Sequence, residues 1–330
     1  MKKIGISLLM LALIFMLFAC GETTTTGIMR GYIKGIETEN GYSYNYYVPT
    51  TYTPEEAMPL FVVLHGGTQT AASIAKLSRM NILAEEYGFM VLYPQQSTEF
   101  NSSRYWNWFM EVNQHRDQGE PKVIADMVLE MTDRYQIDEE RIFAAGFSAG
   151  ACMALIMAIT YPDLFSGVAM AAGVGFAAAK SSIEAYIVMT GSLPAVESAI
   201  TTAFEAMPEE YRKPIKALIF HGLADERVDV ANVDFIVSQV AGLNDLIDDG
   251  IDNDSMIDTP ISIKDMETYS GIDYVTKSYH DATESVILKT FTINGMEHQW
   301  SGGAIVGSYG FTNGPDMSLI LYQFFIGNGQ

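Results

Sequence analysis

A chain of 330 residues, 48% hydrophobic and only 18% charged, has the length and composition to bury one large core and is not composed like a disordered protein. Its formal net charge of −21 repels nucleic-acid phosphates and anionic headgroups, so neither is expected as an electrostatic partner.

The chain opens with Lys2 and Lys3, followed by an apolar run from Ile4 to Ala19 that ends Leu17-Phe18-Ala19-Cys20. This run is short for a membrane span and has the layout of a signal peptide over residues 1–19. A cysteine directly after a small residue resembles a bacterial lipoprotein signal, in which Cys20 would carry the lipid. Residues 20–27, with four consecutive threonines, read as a tether. The expectation is an exported cell-envelope lipoprotein that touches the membrane only through that lipid. With Cys20 so assigned, Cys152 has no disulfide partner, and a core of this size does not need one.

Residues 28–330 are expected to form one α/β domain. Two strands, Met29–Ile36 and Tyr42–Val48, come first. Short apolar runs then alternate with helical stretches. The runs are Leu60–Leu64, Phe89–Tyr93, Arg141–Ala145, Gly167–Ala171, Ile215–Phe220 and Val286–Ile293. The helices are expected near Ala71–Tyr87, Lys122–Tyr135, Ala149–Tyr161, Asn232–Val240 and Asp316–Phe325. Continuous apolar runs suit strands buried on both faces, and their alternation with helices implies a mostly parallel sheet with helices on both sides. The segment Gly242–Asp281 is irregular and acidic, holding Asp245, Asp248, Asp249, Asp252, Asp254 and Asp258. Its spacing does not reproduce a calcium-binding loop, so a solvated surface excursion is expected and no metal is assigned.

Chemistry is carried by Gly146-Phe147-Ser148-Ala149-Gly150, which follows a predicted strand and opens a predicted helix. A serine hydroxyl is a weak nucleophile and needs both exposure and an adjacent base; a sharp strand-to-helix turn supplies the exposure. The oxyanion of a tetrahedral intermediate needs preorganised amides, expected from Ala149 and, in Leu64-His65-Gly66-Gly67-Thr68, from Gly67. The base must be one of five histidines. The chain order serine, acid, histidine removes His65 and His115; His221 precedes a glycine at a strand end, and His280 lies in the acidic excursion. His298, in a glycine-flanked loop after the last core strand, is the candidate. Asp225, in His221-Gly222-Leu223-Ala224-Asp225, is the candidate acid, with Asp229 as the alternative. Cys152, four residues beyond Ser148 on an apolar helix, reads as a core residue. No phosphate loop, dinucleotide fingerprint or paired-histidine motif is present, so no cofactor is expected.

These residues resemble the poly(3-hydroxybutyrate) depolymerase-like esterases, relatives of the feruloyl and acetyl xylan esterases. The resemblance rests on His65-Gly66-Gly67-Thr68-Gln69, Leu92-Tyr93-Pro94, Trp106-Asn107-Trp108-Phe109 and Gly119-Glu120-Pro121. It continues through the serine turn, Tyr161-Pro162-Asp163-Leu164-Phe165, His221-Gly222 with Asp225, and His298 with Trp300-Ser301-Gly302-Gly303. Gly67 stands where the depolymerases often carry cysteine, and Phe147 where leucine is frequent. The resemblance implies an α/β-hydrolase fold and a serine esterase acting on hydroxyalkanoate esters, or alternatively on feruloyl or acetyl groups of plant polysaccharide. Trp106, Trp108 and Trp300 are expected to line the substrate cleft, against core packing as the other reading for the first two. A non-catalytic surface binding protein on the same scaffold is a further alternative, and a complete set of serine, acid and histidine argues against it.

Overall fold

A computed structural model describes residues 29–251, 262–281 and 283–327. The expected signal peptide, Cys20 and the tether lie outside the described residues, as do Asp252, Asp254 and Asp258.

The chain begins with an antiparallel pair, β1 (Gly31–Glu37) and β2 (Ser43–Val48). Next come β3 (Met58–Leu64), α1 (Ala71–Ser78), α2 (Met80–Tyr87) and β4 (Met90–Gln95). Helix α3 (Gly119–Arg134), β5 (Ile137–Phe147), α4 (Ala149–Thr160) and β6 (Val168–Ala171) follow. The second half contains α5 (Ser182–Met189), α6 (Val196–Ala206), β7 (Ala217–Gly222) and α7 (Ala231–Asp249). It ends with β8 (Ser262–Tyr269), β9 (Ile272–His280), β10 (Val286–Ile293), the short β11 (Trp300–Ser301) and β12 (Gly310–Phe311), and α8 (Met317–Phe325).

Ten strands form one sheet in the order β1-β2-β4-β3-β5-β6-β7-β10-β9-β8. The central block from β4 to β10 is parallel, and antiparallel pairs close both edges. Strand β3 explains why the apolar runs are continuous. Leu60, Val62 and Leu64 face one core and Phe61 and Val63 the other, and all are fully buried. Each such side chain stabilises the fold by about 1.5–3 kcal/mol. One face is covered by α3, α4 and α7, the other by α1, α2 and α8.

Three regions depart from expectation. The helix expected over Ala71–Tyr87 is two helices, because Arg79 takes a left-handed conformation (φ 59°) and its guanidinium reaches the Gly302 carbonyl and Asp316. The segment between β6 and β7, which carries no sequence expectation, contains α5 and α6. On α5, Ile183, Tyr186 and Ile187 form a helical stripe that faces solvent, so hydrophobic spacing points away from the core there. The acidic excursion is corrected most. Helix α7 continues through Asp245, Asp248 and Asp249 to a left-handed Gly250, and 262–280 is the hairpin β8–β9. Its two-residue turn, Ser270-Gly271, has φ 50° and 82°, the positive values that match strand twist in a tight hairpin.

The segment between β4 and α3 is anchored from one buried carboxylate. Glu120, in the first turn of α3 and 3% exposed, accepts hydrogen bonds from the Asn107 amide (2.8 Å), the Asn107 side chain (2.6 Å) and Gln96 Nε2 (2.5 Å). Burial raises its pKa above the usual carboxylate value, and those three donors offset part of that rise. Gly119, at φ 52°, brings the helix start so close to Asn113 that a Cβ would lie 2.0 Å from Asn113 Oδ1. Truncating Glu120 leaves buried amide donors unpaired. Glu120→Ala is therefore expected to destabilise the protein by roughly 2–4 kcal/mol, read as a lower urea midpoint at unchanged slope. A loss below about 0.5 kcal/mol would contradict this anchoring.

Candidate active site

Strand β5 delivers the chain to Ser148 in a conformation that L-residues rarely adopt, φ 55° and ψ −122°. Such a backbone costs about 1–3 kcal/mol and persists only where its surroundings fix it. Here the Ser148 amide donates to Ala171 on β6 (2.8 Å), and its carbonyl accepts from Ala151 (2.8 Å) and Cys152 (3.2 Å) at the start of α4. The flanking glycines are sterically required. A Cβ on Gly146 would sit 2.1 Å from the Gly150 carbonyl oxygen, and one on Gly150 2.3 Å from that of Leu64. Every residue of α4 is buried. Cys152 is one of them; its Sγ accepts from the Val174 amide, and burial pushes the thiol up to about 12, which fits a core residue.

Asp225 and His298 meet on the same edge of the sheet. Asp225 Oδ2 lies 2.8 Å from His298 Nδ1, and the aspartate side chain is fully shielded. The other carboxylate oxygen accepts from the amides of Arg227 (2.8 Å) and Val228 (3.0 Å). Burial alone would raise the Asp225 pKa; the hydrogen bond and charge of His298 and the two amides outweigh it, so the net value is below the ordinary 3.8. The two loops are joined by backbone bonds from Leu223 to Ile293 and from Ala224 to Met296. Ser148 Oγ makes no hydrogen bond to His298 among the described residues; the imidazole is held beside the turn by Phe147, their ring centroids 4.9 Å apart. Bonds of this kind often tighten only with substrate in place.

The other candidates occupy structural positions. Asp229 accepts from the Ala231 amide at the start of α7 and its own amide donates to Met189. His221 is fully buried, bonded through Nε2 to the Val228 carbonyl at 2.8 Å, and 3.6 Å from Asp225; burial lowers its pKa. His65 is also fully buried. Its Nδ1 pairs with the Gly66 carbonyl, its Nε2 accepts from the Gln96 amide, and burial drives its pKa down to about 4, so it is a neutral anchor.

Above Ser148 lies the segment 65–69. The amides of Gly67 and Ala149 donate to no protein acceptor among the described residues. A Cβ on Gly66 would meet the Phe147 ring at 2.9 Å, which places this loop directly against the serine turn. Thr68, at φ 65°, donates its amide to Ser103 (2.7 Å), and its hydroxyl pairs with Tyr309 (3.1 Å). Tyr309 packs on Phe147 and lies under the Arg227 guanidinium. The hydrogen bond to Thr68 lowers its pKa, helped by Arg227 against the effect of burial. It therefore ties the glycine loop to the loops carrying His298 and Asp225.

The expectation for the tryptophans is corrected. Trp106 and Trp300 are 0% exposed and Trp108 5%, so they pack inside and do not form cleft walls. Trp106 packs at a tilt against His65, and Trp300 donates to Ser318. The exposed ring at this place is the preceding residue, Tyr105, which lies against Gly67. Tyr105, Tyr309 and Glu120 were not legible as site residues. Only Glu120, in Gly119-Glu120-Pro121, lay within a motif the sequence singled out. Among the described residues no cluster of His, Cys, Asp and Glu is arranged to hold a metal ion.

The family "Esterase PHB depolymerase" matches residues 42–255. Poly(3-hydroxyalkanoate) depolymerase C of Paucimonas lemoignei is 36% identical over 241 residues, covering 73% of this chain and 54% of that protein. Acetylxylan esterase A of Aspergillus oryzae is 30% identical over 205 residues, covering 60% of this chain and 65% of the relative. The chain thus spans between half and two thirds of the length of these curated relatives. Among solved structures, the acetyl xylan esterase from Aspergillus awamori superposes with a TM-score of 0.68 at 22% identity, over 86% of this chain and 94% of the other, which shows a shared α/β-hydrolase fold. A family match spanning most of the described sheet, joined to that fold, places the chain in the PHB depolymerase family of esterases.

Proposed function

We propose that this protein is a serine carboxylic-ester hydrolase acting on hydroxyalkanoate esters, with Ser148 as nucleophile, His298 as general base and acid, and Asp225 as its orienting carboxylate. The observation that carries the reading is the 2.8 Å Asp225–His298 bond beside a serine held in a strained turn. Asp225 bonded to Nδ1 leaves Nε2 as the nitrogen that accepts the Ser148 proton. As Ser148 Oγ adds to the ester carbonyl, charge develops on the carbonyl oxygen, and the Gly67 and Ala149 amides supply the stabilising dipoles. Collapse of the tetrahedral intermediate breaks the bond to the alcohol, which leaves with the proton from His298. Water, deprotonated by His298, then adds to the acyl-serine, and a second collapse returns the proton to Ser148 and releases the acid.

The acetylxylan esterases among the relatives support a second reading, in which the substrate is an acetylated polysaccharide. Hydroxybutyrate oligomers, acetylated xylan and methyl ferulate, compared by kcat/KM, separate the two. A purified protein that hydrolyses neither these nor p-nitrophenyl acetate would instead fit a binding protein. Export as a lipid-anchored envelope protein is likewise our proposal, supported by Lys2, Lys3, the apolar run and Ala19-Cys20. Cys20→Ser should move the protein out of the detergent phase while leaving ester hydrolysis intact; unchanged partitioning argues against lipidation.

Ser148→Ala should abolish labelling by a fluorophosphonate and lower kcat by about 10³-fold or more, with His298→Ala nearly as damaging and the double variant little worse. Asp225→Asn should be severe and Asp229→Asn mild, each checked for folding by circular dichroism; the reverse order would reassign the acid.

The lowered Asp225 pKa has a signed consequence for stability. Its folded value lies below its unfolded one, so the stability it contributes is complete above about pH 4 and is lost as pH falls through the folded value. In urea titrations, the gap between the wild type and Asp225→Asn should therefore narrow below about pH 4. A gap that stays constant down to pH 3 would show that the carboxylate is not stabilised by its partners.

A further inference from the structure

We infer that Tyr105 sets the length of acyl chain the site admits, an inference that rests on Ser148 and the Gly67 amide carrying the ester chemistry. A Cβ on Gly67 would lie 2.1, 2.4 and 2.5 Å from three atoms of the Tyr105 ring, so the ring rests on the Gly67 α-carbon and only hydrogen fits between them. Unlike the buried tryptophans that follow it, Tyr105 is 40% exposed. It stands at the surface beside the glycine loop, not in the core.

The Tyr105 backbone is held from several directions. The Tyr105 amide donates to Asn101 Oδ1 (3.2 Å), and its carbonyl accepts from Gln96 Nε2 (3.0 Å). Gln96 and Asn107 are both fixed by Glu120, and Thr68, next to Gly67, is bonded to Ser103. These bonds fix the backbone from which the ring projects, and the ring itself rests against Gly67.

Sheet order decides which arm of the ester meets it. Ser148 stands at the end of β5. Asp225 and His298 follow β7 and β10 on one side of β5, whereas Tyr105 follows β4 on the other. The leaving alcohol lies toward His298, which protonates it, and we place the acyl arm on the opposite side of β5, toward Tyr105. A carbonyl oxygen bound at the Gly67 amide brings its acyl carbons against the ring after a short extension. Short acyl groups fit, and long ones collide.

The test is kcat/KM of the full chain for p-nitrophenyl acetate, butyrate and octanoate, beside acetate esters of increasingly long alcohols. Tyr105→Ala should raise the octanoate-to-acetate ratio by about tenfold or more, because a few methylenes of added room are worth that much discrimination. Tyr105→Phe, which keeps the ring, should keep the wild-type ratio. A uniform fall across the acyl series, an unchanged ratio, or a shift confined to the alcohol series would overturn the inference while fluorophosphonate labelling of Ser148 persists. Absence of labelling in the wild type would be a different failure, that of the esterase reading, and would remove this inference with it.

Discussion

Helix α4 lies so close to the end of β3 that a single methyl group would not fit: a Cβ on Gly150 would come within 2.3 Å of the Leu64 carbonyl oxygen and 2.6 Å of that of His65. This close approach is the constraint on which the site depends. It forces the β5–α4 turn to be tight and gives Ser148 its positive φ. It also sets the first amide of α4 next to the glycine loop that leaves β3. Ser148 and the amides of Gly67 and Ala149 are thus placed by backbone packing, which no side-chain rotamer change can loosen.

Asp225 and His298 arrive by a different route. They come from loops after β7 and β10, strands that are neighbours and parallel, so their carboxyl ends lie side by side. Gly222 permits the crossing, since a Cβ there would lie 2.0 Å from the Met296 carbonyl oxygen. Two histidines then surround one carboxylate, and hydrogen bonding separates their roles. His298 sits 2.8 Å from Asp225, whereas His221, fully buried, is committed to the Val228 carbonyl. Burial lowers the His221 pKa despite the nearby Asp225 carboxylate, and its bond to the Val228 carbonyl braces the loop.

Glu120 performs a comparable service on the other side of Ser148. A carboxylate in the interior is expensive unless its oxygens are fully satisfied, and its partners are neutral amides. Through them it fixes the segment from Gln96 to Asn107, which carries the inward tryptophans and the outward Tyr105. The site is flanked by two buried carboxylates with opposite shifts. Asp225 is lowered by a histidine and Glu120 is raised by burial. The first faces a titratable partner and belongs to the proposed chemistry, while the second has only structural partners.

The alternation of apolar runs with helices determined the parallel sheet, since a strand buried on both faces has few other compositions open to it. The order of Ser148, Asp225 and His298, each just past such a run, was legible for the same reason: strand ends are local features. Other elements were obscured by tertiary effects. The β8–β9 hairpin hid among acidic residues, and α5 turned its apolar stripe outward. The tryptophans read as cleft walls because aromatic composition does not reveal direction; the structure turned them inward and left Tyr105 at the surface. Whether a ring faces core or cleft depends on contacts between segments far apart in the chain, here Gly67 with Tyr105 and Thr68 with Tyr309. Those contacts exist only once the sheet has set the loops side by side.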